Sequence, residues 1–452
     1  MCQQCNCSNS FKELMQKVET NYPGFADKVT AANRREYERI TDSAVKASAA
    51  ADMHGCIPIM RSWLAFFKDH HMGVGINPDA ANHTTIRELF SKGAHMPVSE
   101  ASLIAYLKNN SSRLDSLEGI WEDESKFYRI GIKKEGKIFI GFILQADSLF
   151  WMPGQVKLKA AKKGTHYKML TFLDREHFPS TPDMEVAGHT LRISNFGNWY
   201  RVYPGPPPAK KAAAKDPLLP SFKKLDKETA LLVIPSFRMT YTEAIDSLVT
   251  NEPAIAGSRH LIIDLRNNSG GVTLGFEKLL PLIYTKPFIT KGAAVLATDD
   301  NIQSYIRVLD NPELSDSMKN VVRSDVAKLQ ASRGKFCELW PDDTLRFNQV
   351  LPYPQKVSVI INGQCASSTE YFLLKARQSS KVTIFGQHSM GAIDYSNAVL
   401  TTLSCSFYAF RYPTSRSNLL PGEPLDNIGI QPDVRIGDNI VDWIAFVKSF
   451  KP

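Results

Sequence analysis

Residues 357–376 read VSVIINGQCASSTEYFLLKA. The opening VSVII is a continuous apolar run, the pattern of a strand covered on both faces. The closing YFLLKA reads as a helix, and small residues fill the turn between them. Ser367 and Ser368 stand at that junction, followed by Thr369 and Glu370. A serine at a helix start is ordinarily an N-cap, and SSTE fits a capping box. The same geometry also exposes a hydroxyl on a tight turn and frees the next N–H for an oxyanion. Taken alone, capping is the better account.

Working outward, two more runs share the texture of that strand. TALLVIPSF (229–237) and HLIIDL (260–265) are short, apolar and separated by helical segments. Together they predict an α/β catalytic-half domain over 221–452, a mostly parallel sheet with helices on both faces. The second run continues into RNNSGG (266–271), a polar loop ending in Gly270 and Gly271. Glycines permit positive φ and close backbone approach, and turn N–H groups can face an anion, although a plain β-turn explains this stretch equally well. Asp264 and Arg266 read as groups that fix the strand end.

The rest of the chain has a different period. Residues 1–117 read as a helical region, from FKELMQKVE (11–19) to SEASLIAYLKN (99–109). Residues 118–203 alternate apolar and polar positions between Gly and Lys-Lys turns, which predicts an antiparallel meander or small barrel. Its Trp121, Trp151, Trp199 and Tyr200 read as core and rim residues rather than a ligand cage. Residues 204–220, PGPPPAKKAAAKDPLLP, read as a Pro/Ala/Lys linker.

Composition bounds the function. The 452 residues exceed one core, so two or three domains are expected. A net charge of +8, without basic runs interleaved with aromatics, argues against nucleic-acid binding. No run of about 18 apolar residues is present to span a membrane. Three of the seven cysteines, Cys2, Cys5 and Cys7, crowd the N-terminus, without the second CxxC pair of a zinc site. One of them is expected to pair with Cys56, closing a loop worth about 4 kcal/mol in the chain-entropy account. That pairing implies an oxidising compartment. MCQQCNCSNSF lacks a signal-peptide pattern, so a processed chain is expected.

FKDHHMGVGI (67–76) passes from helical to alternating texture and carries His70 and His71 beside Asp69. Adjacent histidines at such a junction, next to glycines, are candidates for proton transfer. A metal would need a third ligand at helical spacing, and none is found.

Read in order, these pieces resemble the serine peptidases of the tail-specific (C-terminal processing) protease and tricorn-core family, most strongly over 225–436. The resemblance rests on ALLVIPSF, LIIDLRNNSGG, INGQCASSTEYFLLKA, the Gly-x-x-Ser-x-Gly of GQHSMGAID (386–394) and LDNIGIQPDVRI (425–436), with KDHH similar to the Asp-x-His element of its Ser-His branch. It implies a crotonase/ClpP-like catalytic domain. The Ser-Lys branch would place a lysine where Ala392 stands, so the Ser-His branch fits better. That branch sets its serine three residues before the acid opening the helix, which selects Ser367 ahead of Glu370.

The resemblance further implies the roles. Ser367 attacks the scissile carbonyl, and His71, with His70 as alternative, moves the proton. Gly270 or Gly271, with the N–H of Ser368, holds the oxyanion. The family places an orienting carboxylate before the Gly-Ile-x-Pro stretch, which points to Asp426, shorter than the Glu common there, with Glu423 as alternative. His388 reads as a loop residue without a role and Cys365 as a small buried residue. The expected activity is a serine endopeptidase of C-terminal processing type acting on proteins or peptides, without metal or organic cofactor, in an extracytoplasmic location. Two other readings stay open: a catalytically silent relative that binds peptides or hydrophobic ligands through the β-rich insert, and an acyl-CoA crotonase sharing only the fold. Oligomeric state is left open.

Overall fold

The computed structural model describes residues 5–79, 83–146, 149–205, 216, 218–312, 314–437 and 439–450. Cys2 and most of the expected linker, residues 206–215 and 217, lie outside these. The chain divides into two compact units. One comprises Met1–Gly75, Lys215–Cys405 and Ala409–Pro452; the other comprises Ile76–Ala214 with Ser406–Tyr408.

The larger unit is mixed α/β. Its main sheet runs Ser221–Lys224, Thr229–Val233, His260–Asp264, Lys356–Ile361, Val382–Gly386, Val434–Arg435 in spatial order. The last four join their neighbours in parallel, with Ile262 opposite Ser358 and Val359 opposite Ile384. The continuous apolar runs have a direct cause. Leu261 and Ile263 enter a core with Val357, Val359, Phe372 and Leu373. Ile262 and Ile360 face the other way, toward Phe385 and Val447. Both faces are covered, so alternation disappears from the sequence.

A second sheet in this unit, not expected within a mostly parallel domain, is antiparallel: Ala293–Leu296 lies between Phe336–Trp340 and Tyr408–Ser417. Tyr408–Ser417 also pairs with Tyr395–Thr402, and the short strand Gly73–Ile76 joins its edge. The expected handover from helix to strand falls there. Helix Met53–Leu64 ends in a tight turn, Lys68 adopts φ 49°, and Gly73–Ile76 follows. The N-terminal helices Cys7–Asn21, Arg34–Ser48 and Met53–Leu64 bury Phe11, Leu14, Met60 and Trp63. Cys7 pairs with Cys56 and Cys5 with Cys405, while Cys337 and Cys365 are free thiols.

The smaller unit is a nine-stranded antiparallel sheet, a half-barrel from Gly119–Asp123 to Gly197–Tyr203 with flanking hairpins. Trp121, Trp151 and Trp199 are buried in it, as core residues. Its boundary falls at Ile76 rather than at 118, because helix Glu100–Asn109 packs Leu103 and Leu107 onto Ile120 and Phe142. Among the described residues, no helix is long and apolar enough to cross a membrane.

Candidate active site

Ser367 ends the turn after strand Lys356–Ile361 and precedes helix Ser368–Ala376. Its backbone sits at φ 57°, ψ −121°. An ordinary N-cap occupies the extended region, and a non-glycine residue held at positive φ costs roughly 1–3 kcal/mol. The surroundings hold that conformation. Glu370 Oε2 accepts the Ser367 N–H at 3.0 Å, and the Ser367 carbonyl accepts the Glu370 N–H at 2.8 Å. The Ser367 side chain faces the Glu370 backbone N–H in a capping-box arrangement but makes no regular cap hydrogen bond. SSTE thus supplies the acidic arm of a capping box around a serine that is not a standard cap.

The glycine-ended loop is stitched to this turn. Asn268, fully buried, receives the Thr369 hydroxyl on both its carbonyl and Oδ1 at 2.9 Å, and its carbonyl accepts the Ala366 N–H at 3.2 Å. Gly270 adopts φ 96°, and a Cβ there would lie 2.7 Å from the Ala366 oxygen and 3.0 Å from the Ser368 nitrogen. Only glycine permits that approach. The Gly270 N–H donates to Asn268 Oδ1 at 3.0 Å, so of the expected oxyanion donors it is already engaged. The N–H groups of Gly271 and Ser368 make no hydrogen bond among the described residues. Ser368 Oγ is buried and unpartnered.

A third segment, 389–394, is suspended between two buried carboxylates. Glu370 Oε1 accepts the Ser389 hydroxyl at 2.6 Å and the Gly391 N–H at 2.8 Å, and Oε2 accepts the Ala392 N–H at 2.8 Å. Burial pushes the Glu370 carboxyl up, and these donors oppose the shift. At the other end, Asp426 Oδ1 accepts the N–H groups of Ile393 at 3.2 Å and Asp394 at 3.1 Å. Asp394 returns the contact, accepting the Asp426 N–H at 2.9 Å. Asp426 Oδ2 is 3.2 Å from Lys28 Nζ. Burial, then the charge of Asp69, raise the Asp426 carboxyl above its usual range.

His71 lies on the Asp426 side. Its Nδ1 is buried without a hydrogen-bond partner, 3.8 Å from Asp69 Oδ1. Asp69 Oδ1 accepts the His71 backbone N–H at 2.8 Å, and its Oδ2 accepts the Tyr22 hydroxyl at 2.9 Å. Among the described residues, Asp69 is the one carboxylate within 4.0 Å of the imidazole nitrogens. Burial, and then Arg411, lower the His71 pKa; Asp426 and the Tyr395 backbone oppose that. No hydrogen bond joins Ser367 Oγ to His71. His70 is exposed, with its carbonyl taking Arg411 at 3.2 Å. Glu423 and His388 are exposed.

Ser367, Ser368, Gly270 and Gly271 are therefore in one cluster, and His71 and Asp426 in another, with 389–394 hydrogen-bonded to both. Cys365 points inward: its thiol donates to the Leu265 carbonyl at 3.0 Å, and burial pushes it up to about 12. Asp264 holds Arg266 at 2.6 Å at the strand end. No group of three His, Cys, Asp or Glu that could hold a metal occurs among the described residues. Glu370 had served in the sequence only as a marker for the serine, and Asp69 as part of a motif. Beyond the local N–H groups of Ser367 and His71, their partners lie 19–22 and 47 residues away along the chain, where local spacing is uninformative. The one signal was an acid in each motif, at Ser-x-x-Glu and at Asp-x-His.

Residues 228–436 match the model of peptidase family S41. Among solved structures, the chain is similar to a putative peptidase from Parabacteroides merdae, at 13% identity, covering 98% of this chain and 93% of that one, with a TM-score of 0.46. It is similar to mature CPAF at 14% identity, covering 95% and 92%, with a TM-score of 0.46. It is also similar to the photosystem II D1 C-terminal processing protease at 13% identity, covering 97% and 95%, with a TM-score of 0.42. A search of curated proteins found no match.

Proposed function

We propose that the chain, whose residues 228–436 match the model of peptidase family S41, is a member of that family and hydrolyses peptide bonds with Ser367 as nucleophile and His71 as general base. The observation that carries this reading is the Ser367 backbone, held at φ 57° by Glu370 beside a glycine loop with uncommitted N–H groups. Strain at a strand-to-helix turn is what presents a nucleophilic hydroxyl rather than caps a helix.

Ser367 Oγ attacks the carbonyl carbon while neutral His71 accepts its proton. The oxyanion takes hydrogen bonds from the N–H groups of Gly271 and Ser368; Gly270 contributes the close approach that brings this loop to the turn. Each such donor is worth about 3 kcal/mol of barrier. The tetrahedral species collapses to an acyl-enzyme as the imidazolium protonates the leaving amine, and water then releases the acid by the reverse roles. Asp69 is the nearer carboxylate for the imidazole. Asp426, the expected orienting group, has both oxygens engaged and assists through its charge. Glu423, being exposed, is the weaker candidate.

The parallel sheet with its nucleophile helix supports a crotonase-like catalytic domain. The disulfides Cys5–Cys405 and Cys7–Cys56 support an extracytoplasmic location. The lack of a Ser367–His71 hydrogen bond favours a second reading, a silent peptide-binding relative. A fluorophosphonate probe separates the two. Labelling that survives Ser368→Ala and disappears in Ser367→Ala supports the peptidase. An unlabelled native protein that still binds peptides supports the silent relative.

A further inference from the structure

Helix Cys7–Asn21 is followed by Tyr22 and Pro23. A residue before proline is driven out of the helical region, and Tyr22 takes φ −77°, ψ 115°. Its side chain is buried, with the residue 1% exposed. The ring meets those of Phe67 and Tyr395 edge-on, at 5.7 Å and 5.3 Å between centroids. The hydroxyl donates to Asp69 Oδ2 at 2.9 Å. Gly24 makes room for that hydroxyl. Its φ of −84° suits any residue, so glycine is needed here for space alone. A Cβ on Gly24 would collide with the Tyr22 hydroxyl and stand 2.8 Å from the Tyr395 ring.

The other Asp69 oxygen serves His71. Oδ1 accepts the His71 backbone N–H at 2.8 Å and stands 3.8 Å from Nδ1 of the ring. With Oδ2 held by Tyr22 and Oδ1 by that N–H, the carboxylate cannot turn about its Cβ–Cγ bond without breaking both hydrogen bonds. Burial favours the neutral acid here; the His71 N–H, the Tyr22 hydroxyl, Lys28 and His70 oppose it and favour the charge. A buried tyrosine hydroxyl needs an acceptor, and a backbone carbonyl would serve. This one takes the carboxylate beside the imidazole.

We propose that Tyr22 is a positioning residue for the base, its hydroxyl fixing the plane of the Asp69 carboxylate so that Oδ1 faces the His71 ring. The inference rests on the peptidase reading and deepens it. A neutral ring needs no counter-charge. When His71 takes the Ser367 proton it becomes a cation, and a negative oxygen already in place stabilises it without reorienting. The other charges acting on the ring are Arg411 and His70, which oppose the cation, and Asp426, which favours it. Asp426 also answers to Lys28, 3.2 Å away. Asp69 has Tyr22 in that place, a neutral donor that orients the carboxylate without cancelling its charge.

The test compares the native full chain with Tyr22→Phe, Asp69→Asn and the double variant on a peptide that the native protein cleaves. Tyr22→Phe keeps the ring and its packing. It should lower kcat about tenfold with KM within about twofold, and should add nothing to Asp69→Asn. An unchanged kcat overturns the proposal. So does a fall of the same size in the Asp69→Asn background, the mark of a merely structural role. Gly24→Ala is the second variant, should Tyr22→Phe not fold. Its methyl displaces the hydroxyl and should reproduce the loss, whereas a folded Gly24→Ala with native kcat overturns the proposal. A readout without turnover separates this from the peptidase reading. The His71 imidazole is titrated by NMR in protein carrying isotope-labelled histidine, its signal assigned by its absence in His71→Ala. The midpoint should fall by about 0.5 pH unit or more in Tyr22→Phe, because the cation loses counter-charge, with no further fall in the double variant than in Asp69→Asn. An unmoved midpoint overturns the proposal. A native chain that cleaves no peptide and takes no fluorophosphonate, yet shows the coupled shift, removes the peptidase reading and leaves the Tyr22–Asp69–His71 chain standing.

Discussion

Ser367 and His71 stand on loops that differ in how much of their polar chemistry is already committed. Around Ser367, one carboxylate accepts four donors, from Ser367, Ser389, Gly391 and Ala392, and a buried asparagine ties the glycine loop to the turn. Around His71, Nδ1 has no partner among the described residues and the nearest carboxylate stands 3.8 Å away. The Ser367 half is locked by bonds among residues of one sheet's loops. The His71 half arrives from the N-terminal helices and joins through the edge strand Gly73–Ile76. In the proposed mechanism, a tightly bonded Ser367 and a less committed His71 would place the rate-controlling freedom on the imidazole. Long or misaligned catalytic hydrogen bonds in the unliganded state fit that arrangement and tighten with substrate.

The contrast can be broken most sharply at the serine. Ser367→Ala should lower peptidase kcat by on the order of 10⁴ or more with an unchanged melting temperature; residual turnover near the native rate would end the assignment. His71→Ala should give a loss of similar size, again with folding intact. Glu370→Gln comes next, because it sets an amide among four donors in a site with no exposure. It should cost about 3 kcal/mol of stability and abolish fluorophosphonate labelling. A stable, labelled variant would show that the turn needs no carboxylate.

Asp69→Asn tests the looser half. Loss of the carboxylate nearest the ring should lower kcat on the order of 100-fold while KM changes little, with labelling by the probe slowed in parallel. Asp426→Asn should act more on stability, since it also leaves Lys28 without its partner. The reverse order of effects would make Asp426 the orienting residue. The pH profile is a gentler probe. In the proposed mechanism His71 acts as a base when neutral, and burial and then Arg411 lower its pKa from the ordinary imidazole value of 6.5. Activity should therefore persist through pH 6.5 as the solution is acidified and fall only below it. An acidic limb centred above 6.5 would show that a carboxylate controls the ring in the working state. The smallest effect is expected at His70, exposed and joined to Arg411 through its backbone: His70→Ala should change kcat/KM by less than about twofold.

The parallel sheet was legible because its strands are covered twice, which leaves apolar runs such as HLIID and KVSVII that few other environments produce. Ser367 was singled out because the turn motif, the glycine loop and the missing lysine at Ala392 agree, and the strand-to-helix turn expected there is present. The antiparallel sheet of the larger unit was not. Its strands Tyr395–Thr402 and Tyr408–Ser417 alternate buried and exposed positions only in part, and Ala293–Leu296 is too short to stand out. The boundary at Ile76 was hidden because helix Glu100–Asn109 has an ordinary amphipathic pattern, which does not reveal the sheet it packs on. Glu370 and Asp69 were visible as letters and invisible as acceptors, since their donors come from elsewhere in the chain.

The disulfide Cys5–Cys405 joins residues 400 positions apart in sequence, and the Ile76–Ala214 segment of the smaller unit lies inside the covalent ring that it closes. A single cut anywhere between those cysteines would open the ring without releasing a fragment. Under the proposed peptidase activity this bears on self-digestion. A nicked molecule would keep its full mass under oxidising conditions and separate into two pieces only after reduction. Electrophoresis with and without reductant therefore counts its internal cuts directly, and an enzyme scored as intact without reductant can already be in two segments.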